Sequence, residues 1–132
     1  MTLKNIKIKN IAKEYGVKLV IQNKNFNEKD IMYDGATYSP THKIITLGVF
    51  ENSDHKIYSF FHELGHFLDK DINRYFKKNP WSWPQPKTFY RFEVNAWNNA
   101  DFLMVKHGLE LSSEYKNLRE EYLEEYKESI KK

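Results

Sequence analysis

The chain has no cysteine among its 132 residues. That excludes a disulfide-stapled scaffold and any zinc site built on thiolates, so imidazole and carboxylate are the metal ligands left to it. No segment approaches the roughly 18 consecutive apolar residues of a membrane span, and the opening MTLKNIKIKN lacks the continuous apolar core of a secretory signal. A cytoplasmic protein with no membrane partner is therefore expected. Internal repeats and low-complexity segments are also missing. The net charge is only +3, though residues 1–29 concentrate Lys4, Lys7, Lys9, Lys13, Lys18, Lys24 and Lys29 against Glu14 and Glu28. Such a run is ordinarily a solvated face. With no recognition-helix pattern, zinc-finger spacing or aromatic-basic RNA motif beside it, no direct nucleic-acid contact is expected. A composition that is 40% hydrophobic and 16% aromatic supports one core at this length, hence one domain over 1–132.

What the chain does contain is His62-Glu63-Leu64-Gly65-His66. Histidines at i and i+4 share one helix face, so both reach a single metal. Glu63 is rotated by about 100° from His62, which sets it beside the metal as the base for a water molecule and not as a ligand; this is the H-E-x-x-H arrangement of zinc peptidases. The surrounding periodicity supports a helix. Ser53 or Asp54 offers an N-cap, and Ile57, Phe60, Phe61, Leu64 and Leu68 recur at helical spacing over 54–70. Gly65 within that helix, unfavourable by about 1 kcal/mol relative to alanine, points to a close neighbour there.

A second helix is predicted over 88–107, with Phe89, Phe92, Ala96, Trp97, Ala100, Leu103 and Met104 forming an apolar face and Glu93 falling within it. A carboxylate on a buried face must be paired, protonated or bound to metal. Arg91 points to another side of the helix, so metal ligation by Glu93 is the preferred reading. The bland alternative is neutralisation by a basic side chain. Other third ligands fit less well. The pattern H-E-x-x-H-x-x-G-x-x-H needs glycine at 69 and histidine at 72, where the chain has Asp69 and Ile72. Asp69 is better placed to orient a ligand histidine from behind. His107 lies about 21 Å beyond Glu93 at about 1.5 Å per residue and reads as a helix-terminal residue before Gly108; His42 and His55 read as exposed. Tyr38, Tyr75, Tyr90 and Arg91 are the candidates for a further electrophile.

Ahead of the metal helix, Ile8, Ile11, Ala12 and Tyr15 keep helical spacing up to Gly16, and Val17, Leu19 and Ile21 alternate as a strand. A second strand is predicted near 30–33, a tight turn at Asp34-Gly35, and a hairpin from ATYS and IITLG around Pro40 to Lys43. The class expected is α+β: a small antiparallel sheet packed on helices, with the H-E-x-x-H helix and a downstream ligand helix, a minimal zincin-like fold. Within it, Ile44, Ile45, Thr46 and Leu47 are expected to form the exposed sheet edge that pairs with an extended substrate. The NPWSWPQP connection at 79–86 resists regular structure, and its Trp81 and Trp83 either wall the substrate groove or cover the core. A tail helix over 113–130 presents Tyr115, Leu118, Tyr122, Tyr126 and Ile130 for packing on the domain.

These residues resemble the ImmA/IrrE-type metallopeptidases of bacteria, phages and integrative elements. The resemblance spans roughly 35–105. It rests on Gly35 to Tyr38, Ile45 to Leu47, the segment FFHELGHFL, and Glu93 with Ala96, Ala100, Leu103 and Met104. It implies one Zn²⁺ per chain on His62, His66 and Glu93, with Glu63 as catalytic base. It also implies proteolysis of a specific protein, typically a transcriptional repressor of the same genetic element. Members often carry an acidic residue two positions after the ligand glutamate, where this chain has Asn95. Two other classes compete with an enzyme: a regulatory module that keeps the metal for structure, and a metal-free interaction protein.

Overall fold

The structure, a computed structural model, describes residues 3–22, 35–50 and 52–130. The strand expected near 30–33, residue 34 of the expected turn, and Lys24 and Lys29 of the basic run lie outside these residues.

The first helix, α1 (Leu3–Tyr15), buries Ile8, Ile11 and Ala12. It ends at Gly16, whose φ of 77° is the left-handed conformation that closes a helix at little cost for glycine alone. Three short strands follow in sequence: β1 (Lys18–Ile21), β2 (Ala36–Ser39) and β3 (Ile44–Leu47). They form one sheet in the order β1-β3-β2. β2 and β3 make the expected antiparallel hairpin, with Ala36 opposite Leu47 and Ser39 opposite Ile44. β1, however, runs parallel to β3, so the sheet is mixed and not purely antiparallel. β3 takes the centre because β1 pairs along its other side, Lys18–Ile21 against Ile44–Leu47, and its Ile45 and Leu47 are fully buried. The expectation that 44–47 forms the free edge is thereby corrected: among the described residues the edge on the hairpin side is β2.

The helix that carries His62, Glu63 and His66, α2 (Ser53–Leu68), starts one residue earlier than the caps read from sequence. Asn52 is its N-cap, and its side chain accepts hydrogen bonds from the Asp54 and His55 amides. Asp69 then both ends α2 and caps a separate helix, α3 (Lys70–Lys78), by accepting from the Asp71 amide. The helix that carries Glu93, α4 (Pro86–Lys106), opens with proline in its first turn, where the missing amide would have had no partner. It ends at His107 and Gly108, as expected. The last helix, α5 (Ser113–Ile130), buries only Tyr115. It is pinned to α4 where the Tyr115 hydroxyl donates to Asp101 at 2.6 Å and Arg119 pairs with the same carboxylate. No helix among the described residues is long and apolar enough to cross a membrane.

The position of the site depends on how closely α2 and α4 approach. A Cβ on Gly65 would lie 2.2 Å from the Ala96 carbonyl oxygen, and Asn99 donates to the Gly65 carbonyl at 3.0 Å. The glycine foreseen as marking a close neighbour therefore meets backbone. Gly65→Ala is expected to force the helices apart, lowering stability by about 1–3 kcal/mol, a loss read as a drop in Tm on thermal denaturation. An unchanged Tm would show that the helices part without cost.

Candidate metal centre

One turn of α2 places the His62 and His66 rings 4.7 Å apart. Each ring is held from one side by a neighbour. His62 stacks on Trp97 of α4 with centroids 4.3 Å apart, and His66 lies nearly parallel to Tyr38 of β2, 8° between planes. From α4, Glu93 reaches across to both imidazoles, with Oε2 2.7 Å from His62 Nε2 and Oε1 3.2 Å from His66 Nε2. Glu63 approaches the opposite edge of His62, 3.2 Å from Nδ1. Glu63, His66 and Glu93 are all buried.

Two subsets of these four residues have the chemistry of a cation site. His62, Glu63 and His66 offer ligand atoms that all lie within 4.8 Å of one another, so that group could hold a metal ion. Glu93 stands nearer to both Nε2 atoms. Its two oxygens lie at hydrogen-bond distance from the imidazoles, one on each ring, so the carboxylate and both Nε2 atoms converge on one point. Among the described residues no lysine or arginine pairs with Glu93; its basic partners are the two imidazoles, which neutralise it when they carry a proton.

The electrostatics follow from burial and from these pairings. Burial alone would push the His62 imidazole down, but Glu63 and Glu93 outweigh it and hold the group up at about 10. Burial likewise favours the neutral form of Glu93, yet its hydrogen bonds to His62 and His66 bring the carboxyl down to about 2. Without a metal the centre is thus a buried cation held by carboxylates. A divalent ion must displace a proton from His62 as it binds.

A cleft of about 480 Å³ opens over this centre. Its walls are β2, with Ala36, Thr37 and Tyr38, and an aromatic side built from Phe76, Trp81, Trp83 and Phe89. Trp81 is 96% exposed and Trp83 74%, so the tryptophans wall the groove and do not cover the core. Ile44, Ile45, Thr46 and Leu47 do not line it, since β3 lies one strand further in.

Asp69 is buried beside this region but does not orient His66, whose Nδ1 is buried without a hydrogen-bond partner. Instead Asp69 accepts from Asn95 at 3.2 Å, a bond that a carboxylate at position 95 would replace with repulsion. Tyr38 donates its hydroxyl to Asn73 at 2.7 Å, which makes it a support for His66. Tyr75 donates to the Ser82 carbonyl, Arg91 is exposed over the Phe92 ring, and neither these two nor Tyr90 lines the cleft. His55 pairs with Glu114, and His107 with Tyr15.

Two contributors were not foreseen in these roles. Asn73 donates to the carbonyls of His66, Phe67 and Asp69 at 3.2, 2.9 and 2.7 Å, fixing the end of α2 while tying β2 to α3. Tyr126, read from sequence only as packing, comes from α5 to line both the cleft and a smaller cavity of about 150 Å³ behind it. Burial, with Glu93 and then Glu63, raises the Tyr126 phenol above its ordinary range, which keeps it a proton donor. Its stripe on the tail helix was visible; its reach was not.

Comparison with known proteins finds no matching family model, no matching curated protein and no matching solved structure.

Proposed function

We propose that this protein is a zinc-dependent endopeptidase of the ImmA/IrrE type with a minimal zincin-like fold. One Zn²⁺ would be held by His62, His66 and Glu93. Its substrate would be a specific protein, such as a transcriptional repressor encoded in the same phage or mobile element, met in the cytoplasm. The observation that carries this reading is the Glu93 carboxylate, buried and directed at both Nε2 atoms from a different helix, with no lysine or arginine beside it.

Zinc bound there supplies Lewis acidity to a water molecule and a peptide carbonyl. The chain's own residues divide the remaining work. Glu63 accepts the proton of the attacking water and returns it to the departing amine. β2, which among the described residues is paired on one side only, offers backbone groups to an extended peptide and lays it across the cleft. Tyr126 donates its hydroxyl to the oxygen that becomes negative during attack. Trp97 and Tyr38 keep the imidazoles from turning away.

Two measurements follow. Incubation with the regulator encoded beside this gene should yield a discrete cleavage that Glu63→Gln does not produce; an intact regulator would remove it as the substrate. Tyr126→Phe should lower kcat by about a hundredfold while KM changes little, because the lost hydrogen bond is strongest in the transition state. An unaltered kcat would take Tyr126 out of the chemistry.

A further inference from the structure

A second groove leaves the cleft at its Pro40 end. It encloses about 730 Å³ and shares Pro40, Thr41, Phe76 and Pro80 with the first. Its polar wall is of one sign. Lys70, Arg74 and Lys77 recur at i, i+4 and i+7 on one face of α3, Lys43 joins them from the hairpin, and no carboxylate lines the groove. Lys70, Arg74 and Lys77 have no carboxylate partner among the described residues. The acidic residue within α3, Asp71, faces Asn95 of α4 instead. Lys43 occupies the left-handed region at φ 57°, which glycine would fill more easily, and its ammonium donates to Asn73 at 2.8 Å.

We infer that this groove receives an acidic segment of the substrate polypeptide, on the side of the scissile bond that passes Pro40 and Thr41. The inference rests on the endopeptidase reading and adds the class of sequence that is cut: an apolar residue for the aromatic wall of Trp81, Trp83 and Phe89, with aspartate or glutamate along the chain on one side of it. The two cavities border one another at Pro40, Thr41, Phe76 and Pro80, which places the basic wall next to the cleft that β2 lines. Unpaired cations at the rim of such a groove act on encounter rate and register as well as on affinity.

Zinc-loaded Glu63→Gln protein isolates binding from cleavage. Short fluorescein-labelled peptides with one apolar centre, flanked on either side by aspartate and glutamate or by asparagine and glutamine, are titrated by anisotropy. One acidic arrangement should bind about tenfold tighter than its neutral counterpart at low salt. The advantage should shrink as salt rises. It should vanish in the exposed triple variant Lys70→Gln, Arg74→Gln, Lys77→Gln, with the neutral peptide's affinity unchanged. Equal binding of acidic and neutral peptides, or an acidic preference that survives the triple variant, overturns the inference while leaving the endopeptidase reading intact. Displacement by a single-stranded oligonucleotide at lower concentrations than by unlabelled acidic peptide would assign the groove to phosphate and overturn it too. Binding of neither peptide would count against the endopeptidase reading itself.

Discussion

Glu63→Gln is expected to reduce peptide hydrolysis by about 10²–10⁴-fold, the usual worth of a positioned general base, while the protein keeps its fold and its metal. Glutamine has nearly the volume of glutamate, so the buried position in α2 stays filled. Its amide oxygen can still accept from His62 Nδ1 across the 3.2 Å now bridged by the carboxylate. What the amide cannot do is take a proton from water. The same variant separates the two subsets of possible ligands. If the ion sits among His62, Glu63 and His66, the substitution removes a charged ligand and zinc content falls; if Glu93 is the ligand, content is unchanged. Hydrolysis at the parental rate would mean that Glu63 is not the base.

Glu93→Ala should weaken zinc binding by at least about a hundredfold, because even the supporting partners of metal ligands are worth about 10–100-fold and Glu93 is assigned as a ligand itself. Two imidazoles one helical turn apart make an incomplete site. The loss should be visible as metal-free protein after dialysis against a weak chelator, measured by elemental analysis. Removing Glu93 also leaves His62 and His66 without their shared acceptor in a buried place. The apo variant should therefore carry less charge on His62 at neutral pH than the apo parent, in which Glu63 and Glu93 hold it protonated. Retention of a full complement of zinc would remove Glu93 from the ligand set.

The parts of this arrangement that were legible in the sequence are those governed by helical periodicity. The i, i+4 histidines, the glutamate inside an apolar stripe and the glycine at a close approach each depend on spacing within one element. The structure brings Glu93 against His62 and His66 where α4 packs on α2, a contact that spacing within either helix does not dictate. What was misread depends on contacts between elements. Pairing β3 with both β1 and β2 cannot be deduced from alternation in each strand, since Ile45 and Leu47 would face inward at an edge as well as at the centre. That ambiguity shifted the expected substrate edge by one strand. α3 did carry a signal, Ile72, Tyr75 and Phe76 at i, i+3 and i+4, but only Ile72 is buried. So short an apolar face is easily taken for a connection. Tyr126 lies in a tail helix whose stripe reads as ordinary packing; only the pinning of α5 at Tyr115 and Arg119 carries it to the cleft.

Asn95 donates to Asp69 across the junction of α2 and α3. The amide ties that junction to α4, two residues from Glu93 on the same helix.

The central claim is that a metal held by this site cleaves peptide bonds, and the most direct measurement follows one protein sample through removal and return of zinc. A pool of peptides spanning many sequences is incubated with the zinc-loaded protein, and new termini are counted by mass spectrometry; the sample is then stripped with chelator, and finally resupplied with one equivalent of zinc. Cleavage beside apolar residues is expected in the first state, none in the second, and recovery in the third, with Glu63→Gln silent throughout. Cleavage that persists through chelation, or a zinc-loaded protein that produces no new termini from the peptides or from its candidate regulator, would contradict it.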